Sequence, residues 1–323
     1  MKSISDLQVI IEQGLRNINI PKTPESLYSP IDYVIKLGGK RLRPTLMLIS
    51  HQLFDKDIKK ALSPSLGIEI FHNFTLLHDD IMDKALLRRG KSTVHEKWNT
   101  NVAILSGDTM LVHAYKLLSD VDKSIVKDVL TVFNKTATQV CEGQQLDMDF
   151  ETQSNVTLSE YIKMIEYKTA VLLAGSLQIG GITGGANIEE QKHLYEFGRN
   201  LGIAFQLKDD LLDAFGNSDT FGKKIGGDII ENKKTILYHN AYLNTSVKNK
   251  AILKKYFSDS YDGSIENKIN TVKKIYNNSG TKSATKNIIN EYLDKAKRKI
   301  DEISIQDKKK KILLDFVDNY ISF

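Results

Sequence analysis

Two copies of one carboxylate pattern, Asp79-Asp80-Ile81-Met82-Asp83 and Asp209-Asp210-Leu211-Leu212-Asp213, hold the densest concentration of chemistry-bearing side chains in the sequence. On a helix the first and last aspartates of each copy lie about 40° apart around the axis, so their oxygens can converge on one point. Six carboxylates in two such groups need cations. With no Cys or His cluster beside them, the donors favour a hard, oxygen-liganded ion. Mg2+ takes only one or two carboxylates and completes its octahedron with water and substrate phosphate. A phosphorylated substrate is therefore expected. The plainer alternative, two solvated acidic helix faces, is weakened because each copy has a basic segment nearby in the sequence.

Those basic segments supply counter-charge of a second kind. Gly38-Gly39-Lys40-Arg41-Leu42-Arg43-Pro44 sets cations on a glycine turn, and Arg88-Arg89-Gly90-Lys91 closely follows the first aspartates. Arg grips phosphate oxygens through a planar fork, whereas Lys acts as a movable point charge. Two phosphate-bearing ligands are implied, one bridged to the aspartates by Mg2+ and one held directly by Lys and Arg. For any single member of Lys40, Arg41 and Arg43, a helix-end charge cluster is the structural alternative. His72, seven residues before Asp79 and eleven before Asp83, shares their helix face to within about 20°. Gln206 stands in the same relation to the second set, three, four and seven residues before Asp209, Asp210 and Asp213.

The elements that must position these residues read as helices. The chain has 323 residues, 41% hydrophobic and 26% charged, and all five prolines fall at or before Pro64. The long remainder has no obligate helix breaker, and abundant Leu, Ile, Lys and Glu with few alternating β-branched runs predict an all-α fold. Leu7, Ile10, Ile11 and Leu15 recur at helical spacing over 5–18. A proline-punctuated connection is expected over 20–30, and then a helix ending before Gly38-Gly39. Pro44 and Pro64 each suit the first position of a following helix. Helical periodicity continues over 101–119, 122–149, 157–180, 188–214 and 230–255. The glycine-punctuated stretch Gly216–Gly227 reads as a mobile loop. No linker divides the chain, so a single domain over 1–323 is expected.

Composition also narrows the function. The net charge of +5 comes partly from Lys308–Lys311, which reads as a solvated helix face, and no nucleic-acid-binding motif accompanies it. The single cysteine, Cys141, suits a reducing cytoplasm, and residues 1–15 do not read as a signal peptide. The uncharged stretch Thr169–Ile188 carries five glycines and several polar residues. It reads as a buried helix ending at the glycine turn 180–185, not as a membrane span.

Between about residues 30 and 240 the chain resembles the trans-isoprenyl diphosphate synthases, the polyprenyl synthetase family that includes farnesyl and geranylgeranyl diphosphate synthases. The resemblance rests on GGKRLRP at 38–44, the first DDxxD with Arg88-Arg89-Gly90, Lys168-Thr169, and Phe205-Gln206 leading into the second DDxxD. Gly222-Lys223 through Gly227-Asp228 to Lys233 completes it. It implies helices around a deep central cavity, a homodimer, and Mg-dependent head-to-tail condensation of isopentenyl diphosphate with dimethylallyl, geranyl or farnesyl diphosphate. In that scheme Lys40, Arg43, His72 and Arg89 hold isopentenyl diphosphate. Asp79, Asp80, Asp83, Asp209 and Asp213 bind Mg2+, three ions in all, with Asp210 completing the second motif. Arg88, Lys168, Lys223 and Lys233 cage the allylic diphosphate, and Thr169 and Gln206 stabilise the allylic cation. Asn232 precedes Lys233 where the family usually has Gly, which puts the turn geometry there in question.

Phe71, Phe74 and Thr75, eight, five and four residues before Asp79, are expected to floor the chain-length pocket. In the family an aromatic there accompanies short products, so geranylgeranyl or farnesyl diphosphate is the expected product; the other reading of Phe74 is an ordinary core aromatic. A longer-chain synthase, a terpene cyclase and a non-catalytic synthase subunit are the alternatives. The intact second DDxxD and the GGKRLRP segment weigh against the last two.

Overall fold

The computed structural model describes residues 1–153, 155–216, 226–258 and 261–321. These are helical throughout except for one two-stranded hairpin and the connections, in agreement with the all-α expectation. The backbone divides into two compact units, each drawn from three separate segments. The first comprises Met1–Lys135, Leu173–Tyr195 and Ile300–Phe316, the second Thr136–Leu172, Glu196–Lys299 and Val317–Phe323.

In the first unit α1 (Ile4–Arg16) starts at a Ser3–Asp6 capping box and buries Leu7, Ile11 and Leu15 on one stripe. Next come α2 (Glu25–Lys36), α3 (Leu42–Phe54) and α4 (Lys59–Met82), then α5 (Val94–Lys97) and α6 (Thr100–Leu118). The α4 helix carries the first aspartate set and packs mainly on α6 and α3, with α1 and α2 also against it. It is apolar nearly all round, as its buried residues from Ala61 to Leu77 show.

The prolines depart from the sequence expectation. Pro30 lies inside α2 and not in a connection, and Pro64 lies inside α4, each as the sixth helical residue; Pro44 is the third residue of α3. The first turn of a helix has no intrahelical acceptor for its N–H groups, so Pro44 removes nothing. Pro30 and Pro64 give up one bond each, to the carbonyls of Ser26 and Lys60. That loss is small beside the burial of the residues around them, so the helices start earlier than a proline-first rule predicts.

The hairpin was not visible in the periodicity. Strands β1 (Leu87–Arg88) and β2 (Lys91–Ser92) pair antiparallel across Arg89 and Gly90, whose φ values are +54° and +73°. Two successive positive φ angles make the primed turn that suits a two-residue hairpin.

The second unit contains most of α7 (Val126–Thr152), then α8 (Leu158–Ile165) and a π-helical turn (Glu166–Ala170); the chain continues into α9 (Val171–Gly184), which from Leu173 on belongs to the first unit. The expected helix 157–180 is therefore interrupted by one wide turn, and it also continues past the predicted glycine turn. Gly180 stays helical because a Cβ there would sit 2.2 Å from the Met47 carbonyl oxygen of α3; it serves close packing, and the chain turns only at Gly185 (φ +86°). The helix α10 (Ile188–Phe215) carries the second aspartate set.

Beyond it, the expected helix 230–255 is three pieces, α11 (Gly227–Ile230), α12 (Ile236–Leu243) and α13 (Val247–Tyr256). Asn232 at φ +60° breaks the first junction, and Ser246 caps the start of α13. The helices α14 (Ile265–Asn278), α15 (Thr281–Asp301) and α16 (Asp307–Tyr320) complete the chain. Of the lysine run on α16, Lys309 and Lys310 donate to the carbonyls of Leu53 and Asp301, leaving Lys308 and Lys311 as the solvated pair. Among the described residues no helix is long and apolar enough to cross a membrane. Residues 217–225, most of the expected mobile loop, lie outside the described residues.

Candidate active site

The first aspartate set occupies the C-terminal end of α4, with Asp79 and Asp80 in its last turn and Asp83 as its cap residue. The second occupies the last two turns of α10. Neither helix has a basic residue in its last turn. Carboxylates there stand where the peptide dipoles already concentrate partial negative charge, each disfavoured by about 0.3–1 kcal/mol. Sites of accumulated negative potential built only from oxygen fit a hard divalent cation. Among the described residues no three or more His, Cys, Asp or Glu side chains close around one point. Each set supplies three carboxylates, enough for the one or two that Mg2+ uses when phosphate and water complete its shell.

Within the first set, Asp80 is buried and Asp79 half-buried, and Arg88 at the hairpin's edge ties to both. Its Nε donates to Asp80 Oδ1 at 2.7 Å, and a terminal nitrogen reaches Asp79 Oδ2 at 3.4 Å. Burial pushes the Asp80 carboxyl up despite the bonds from Arg88. Asp83 is exposed beyond them.

The basic segment at 40–43 divides between structure and site. Arg41 is buried, left-handed at φ +50°, and fully engaged with Glu12 (2.7 Å), Glu69 (2.8 Å) and the Ile35 carbonyl (2.9 Å). These carboxylates outweigh its burial and hold it fully charged. The helix-end reading is right for Arg41. Arg43, by contrast, forms no salt bridge among the described residues, and its Nε is buried without a hydrogen-bond partner. Burial and the neighbouring Arg89 hold its guanidinium down to about 10 although Glu69 opposes them. Its one side-chain contact is with His72 Nε2 at 3.0 Å. A guanidinium can only donate, so Nε2 accepts and the imidazole proton sits on Nδ1. Burial, then Arg43 and Arg89, push His72 far below the ordinary histidine value and keep it neutral. Arg89, lowered chiefly by burial, acts on both Arg43 and His72, and Lys40 is exposed. Two guanidiniums and a neutral N–H donor have the chemistry to receive an anion.

Upstream on α4, Phe71 (1% exposed) and Phe74 (8%) belong to a run of rings. Phe74 touches Phe71 at 5.6 Å and His78 at 4.8 Å between centroids, and Phe71 meets Phe133 at 5.0 Å, which in turn meets Tyr115. Thr75 is half-buried and donates to the His72 carbonyl at 2.8 Å.

In the second unit, two glycines explain the placement of Lys168 and Thr169. A Cβ on Gly143 of α7 would lie 2.2 Å from the Lys168 amide nitrogen, and one on Gly202 of α10 would lie 2.4 Å from Ala170 Cα. Both helices thus touch the backbone of the π-helical turn, a feature that often marks functional positions. One turn further along each helix the side chains meet it. Lys168 Nζ is 2.5 Å from Asp147 Oδ2, and Thr169 Oγ1 donates to Gln206 Oε1 at 3.0 Å. Gln206 Nε2 donates onward to Asp210 Oδ1 at 3.0 Å, and buried Tyr161 donates to the other Asp210 oxygen. Burial pushes the Asp210 carboxyl up to about 7 against those two bonds. Asp213 accepts from the amides of Gly227 (3.1 Å) and Asp228 (3.2 Å), and Asp209 is half-buried. Lys233 lies 3.0 Å from Glu231; Asp147, Glu231 and Asp228 outweigh burial and keep it protonated. Lys223 lies outside the described residues.

Asp147 and Tyr161 join these groups without having been singled out from the sequence, and Asp228 was named there only as part of a motif, with no role. For Asp147 a signal existed: Gly143 interrupts a polar helical run one turn before it, a mark of close backbone approach.

Comparison with known proteins places this arrangement. The chain matches the Polyprenyl synthetase family over residues 24–278. It is 38% identical over 301 residues to the geranylgeranyl diphosphate synthase of Methanosarcina mazei, covering 93% of this chain and 90% of that protein. With the geranylfarnesyl diphosphate synthase of Natronomonas pharaonis it shares 39% identity over 253 residues, 73% of this chain and 74% of the other. A crystal structure of a geranylgeranyl pyrophosphate synthase aligns with a TM-score of 0.95 at 45% identity, covering 99% of both chains. By sequence and by fold, the chain belongs to the polyprenyl synthetase family.

Proposed function

We propose that this trans-prenyltransferase acts as one catalytic domain that condenses isopentenyl diphosphate with an allylic diphosphate, head to tail, releasing pyrophosphate and giving a product of fifteen to twenty carbons. The observation that carries the reading is the coexistence, in one unit, of two anion-handling groups of opposite chemistry. One is carboxylates at a helix C-terminus, which can reach a diphosphate only through a cation; the other is Arg43, His72 and Arg89, whose two guanidiniums form no salt bridge among the described residues and suit direct contact.

In this scheme Arg43, Arg89, Lys40 and the Nδ1–H of His72 bind the diphosphate of isopentenyl diphosphate. Asp79, Asp80 and Asp83 of the first unit and Asp209 and Asp213 of the second would hold Mg2+, which would supply positive charge to the allylic diphosphate as it leaves. Arg88, Lys168, Lys223 and Lys233 add fixed positive charge there, so the allylic C–O bond breaks with its electron pair leaving on diphosphate. The donor chain runs from Thr169 through Gln206 to the Asp210 carboxyl, leaving lone pairs of Thr169 at its head, and this orientation stabilises a cation near Thr169. The alkene of isopentenyl diphosphate attacks that carbon, and the proton lost on forming the new double bond passes to released diphosphate. Phe71, Phe74 and Thr75 limit the growing chain.

A homodimer is part of the proposal. Leu105 (58% exposed), Val112 (67%), Ile104 and Tyr115 leave an apolar face on α6, supporting a second copy as its cover. Exposed Cys141, free of any disulfide, suits a cytoplasmic setting.

The test is pyrophosphate release from isopentenyl and geranyl diphosphates with and without Mg2+, with chromatography of the dephosphorylated products. Release dependent on both substrates and on Mg2+, with a lengthened chain, is expected. Release from the allylic substrate alone, without lengthening, would identify a cyclase.

A further inference from the structure

We propose that Lys268 is a positioning residue for the diphosphate site around Lys233, acting through the side chain of Asn232; the inference rests on the synthase reading above. Lys268 lies on α14 and is 4% exposed. Among the described residues it forms no salt bridge, an unfavourable state for an ammonium unless the fold uses it. Its Nζ donates to Asn232 Oδ1 at 2.5 Å and to the Ile230 carbonyl at 3.2 Å, and it lies 5.7 Å and 5.9 Å from the ring centroids of Phe257 and Tyr261. Both oxygens belong to the turn that leads into Lys233.

That turn bears on the site at each end. At its start, the amides of Gly227 and Asp228 hold the carboxylate of Asp213. At its end, the Lys233 amide donates to the Asp228 carbonyl at 2.9 Å, which fixes where the Lys233 side chain begins. Between them Asn232 is left-handed at φ +60°, a conformation that Gly adopts freely and that costs a residue with a Cβ more. A side-chain anchor for Asn232 offsets that cost. Ile269, the neighbour of Lys268, lies against Gly226, where an added Cβ would be 3.3 Å away. One turn of α14 therefore braces both the beginning and the middle of the segment.

Lys268→Met keeps the stem and removes the ammonium. The apparent constant for the allylic diphosphate should rise roughly tenfold, because a loosened Lys233 no longer meets its phosphate oxygens in place. That for isopentenyl diphosphate should stay within about twofold, since its site lies elsewhere in the chain. Asn232→Gly should be close to wild type. In that background Lys268→Met should change the allylic constant by less than about threefold, because the side chain it acts through is gone. Independently of turnover, amide exchange at Lys233 should accelerate about tenfold or more in Lys268→Met and much less in the double variant.

A tenfold loss in both backgrounds, equal effects on both substrates, or unchanged exchange at Lys233 would each overturn the proposal. Should Lys268→Met fail to fold, Asn232→Ala removes the acceptor alone and must show the same substrate split and faster exchange; its absence overturns the proposal equally. Absence of prenyl product from the wild type would instead defeat the synthase reading, and the exchange measurement would still decide the role of Lys268.

Discussion

Replacing Arg43 by Met is expected to make the ligand-free protein more stable while weakening its grip on isopentenyl diphosphate. Holding a guanidinium at about 10, below the ordinary arginine value, corresponds to a cost of about 3 kcal/mol for the charged form. Met keeps the stem and removes that cost. The opposing loss is the bond to His72 Nε2, worth about 1 kcal/mol with some further penalty for the orphaned nitrogen. The balance is about 1–2 kcal/mol in favour of the variant, a rise of a few degrees in melting temperature. With substrate the sign reverses. A charge-assisted contact to phosphate contributes about 1.5–3 kcal/mol, so the apparent constant for isopentenyl diphosphate should rise by roughly one to two decades while that for the allylic substrate barely moves. Arg89→Ala and Lys40→Ala should share the substrate effect, and Lys40→Ala should do so without the stabilisation because Lys40 is exposed. Thermal unfolding by circular dichroism and initial rates with each substrate varied provide the test. A destabilised Arg43→Met variant with an unchanged isopentenyl constant would refute the assignment of Arg43 as a cation held ready for an anion.

Asp79→Ala and Asp209→Ala should each abolish turnover while leaving the metal-free melting temperature equal or higher, because both remove charge from the negative end of a helix dipole; near-wild-type activity in both would defeat the Mg2+ assignment. Phe74→Ala, alone or with Phe71→Ala, should lengthen the product by opening the pocket about 7–12 Å along α4 from Asp79. Phe71→Ala should be the more destabilising, up to about 3–5 kcal/mol, given its greater burial. An unchanged product distribution in a folded double variant would refute that floor. Burial first, then the charge of Lys234, holds His239 down to about 4 despite a bond to the Lys234 carbonyl. Its folded value lies below its unfolded one, so the stability it contributes is complete above about pH 6.5 and declines as pH falls toward 4, by about 2 kcal/mol at pH 5. His239→Gln should flatten that part of a stability-against-pH curve, and a curve identical to wild type would exclude the effect.

The chemistry of this protein was more legible than its backbone. The aspartate sets, His72 and Gln206 declared themselves through residue type and helical spacing, because a 3.6-residue period converts directly into direction; Thr169, and the grouping of Arg43 with His72, came from the family resemblance. Residue type and spacing did not separate Arg41 from Arg43, and only the family resemblance did; Glu12 and Glu69, which claim Arg41, come from other helices. The prolines misled because a helix-start preference says little about a breaker in the second turn of a well-buried helix. The hairpin at 87–92 is too short for an alternating pattern to register. The π-helical turn at Lys168-Thr169 depends on two glycines far apart in sequence, Gly143 and Gly202, that meaningfully pair only once the helices pack.

That double backbone approach divides the enzyme's properties into those that can drift and those that cannot. Phe74 meets Phe71 and His78 through their rings, so under the proposed role a succession of single replacements, each tolerable, can move the end point of chain growth. At the π-helical turn Gly143 abuts the Lys168 amide nitrogen and Gly202 abuts Ala170 Cα, and no smaller residue than glycine exists to make room. A population of related sequences should therefore diversify in what it makes well before it can alter how the first carbon–oxygen bond is broken.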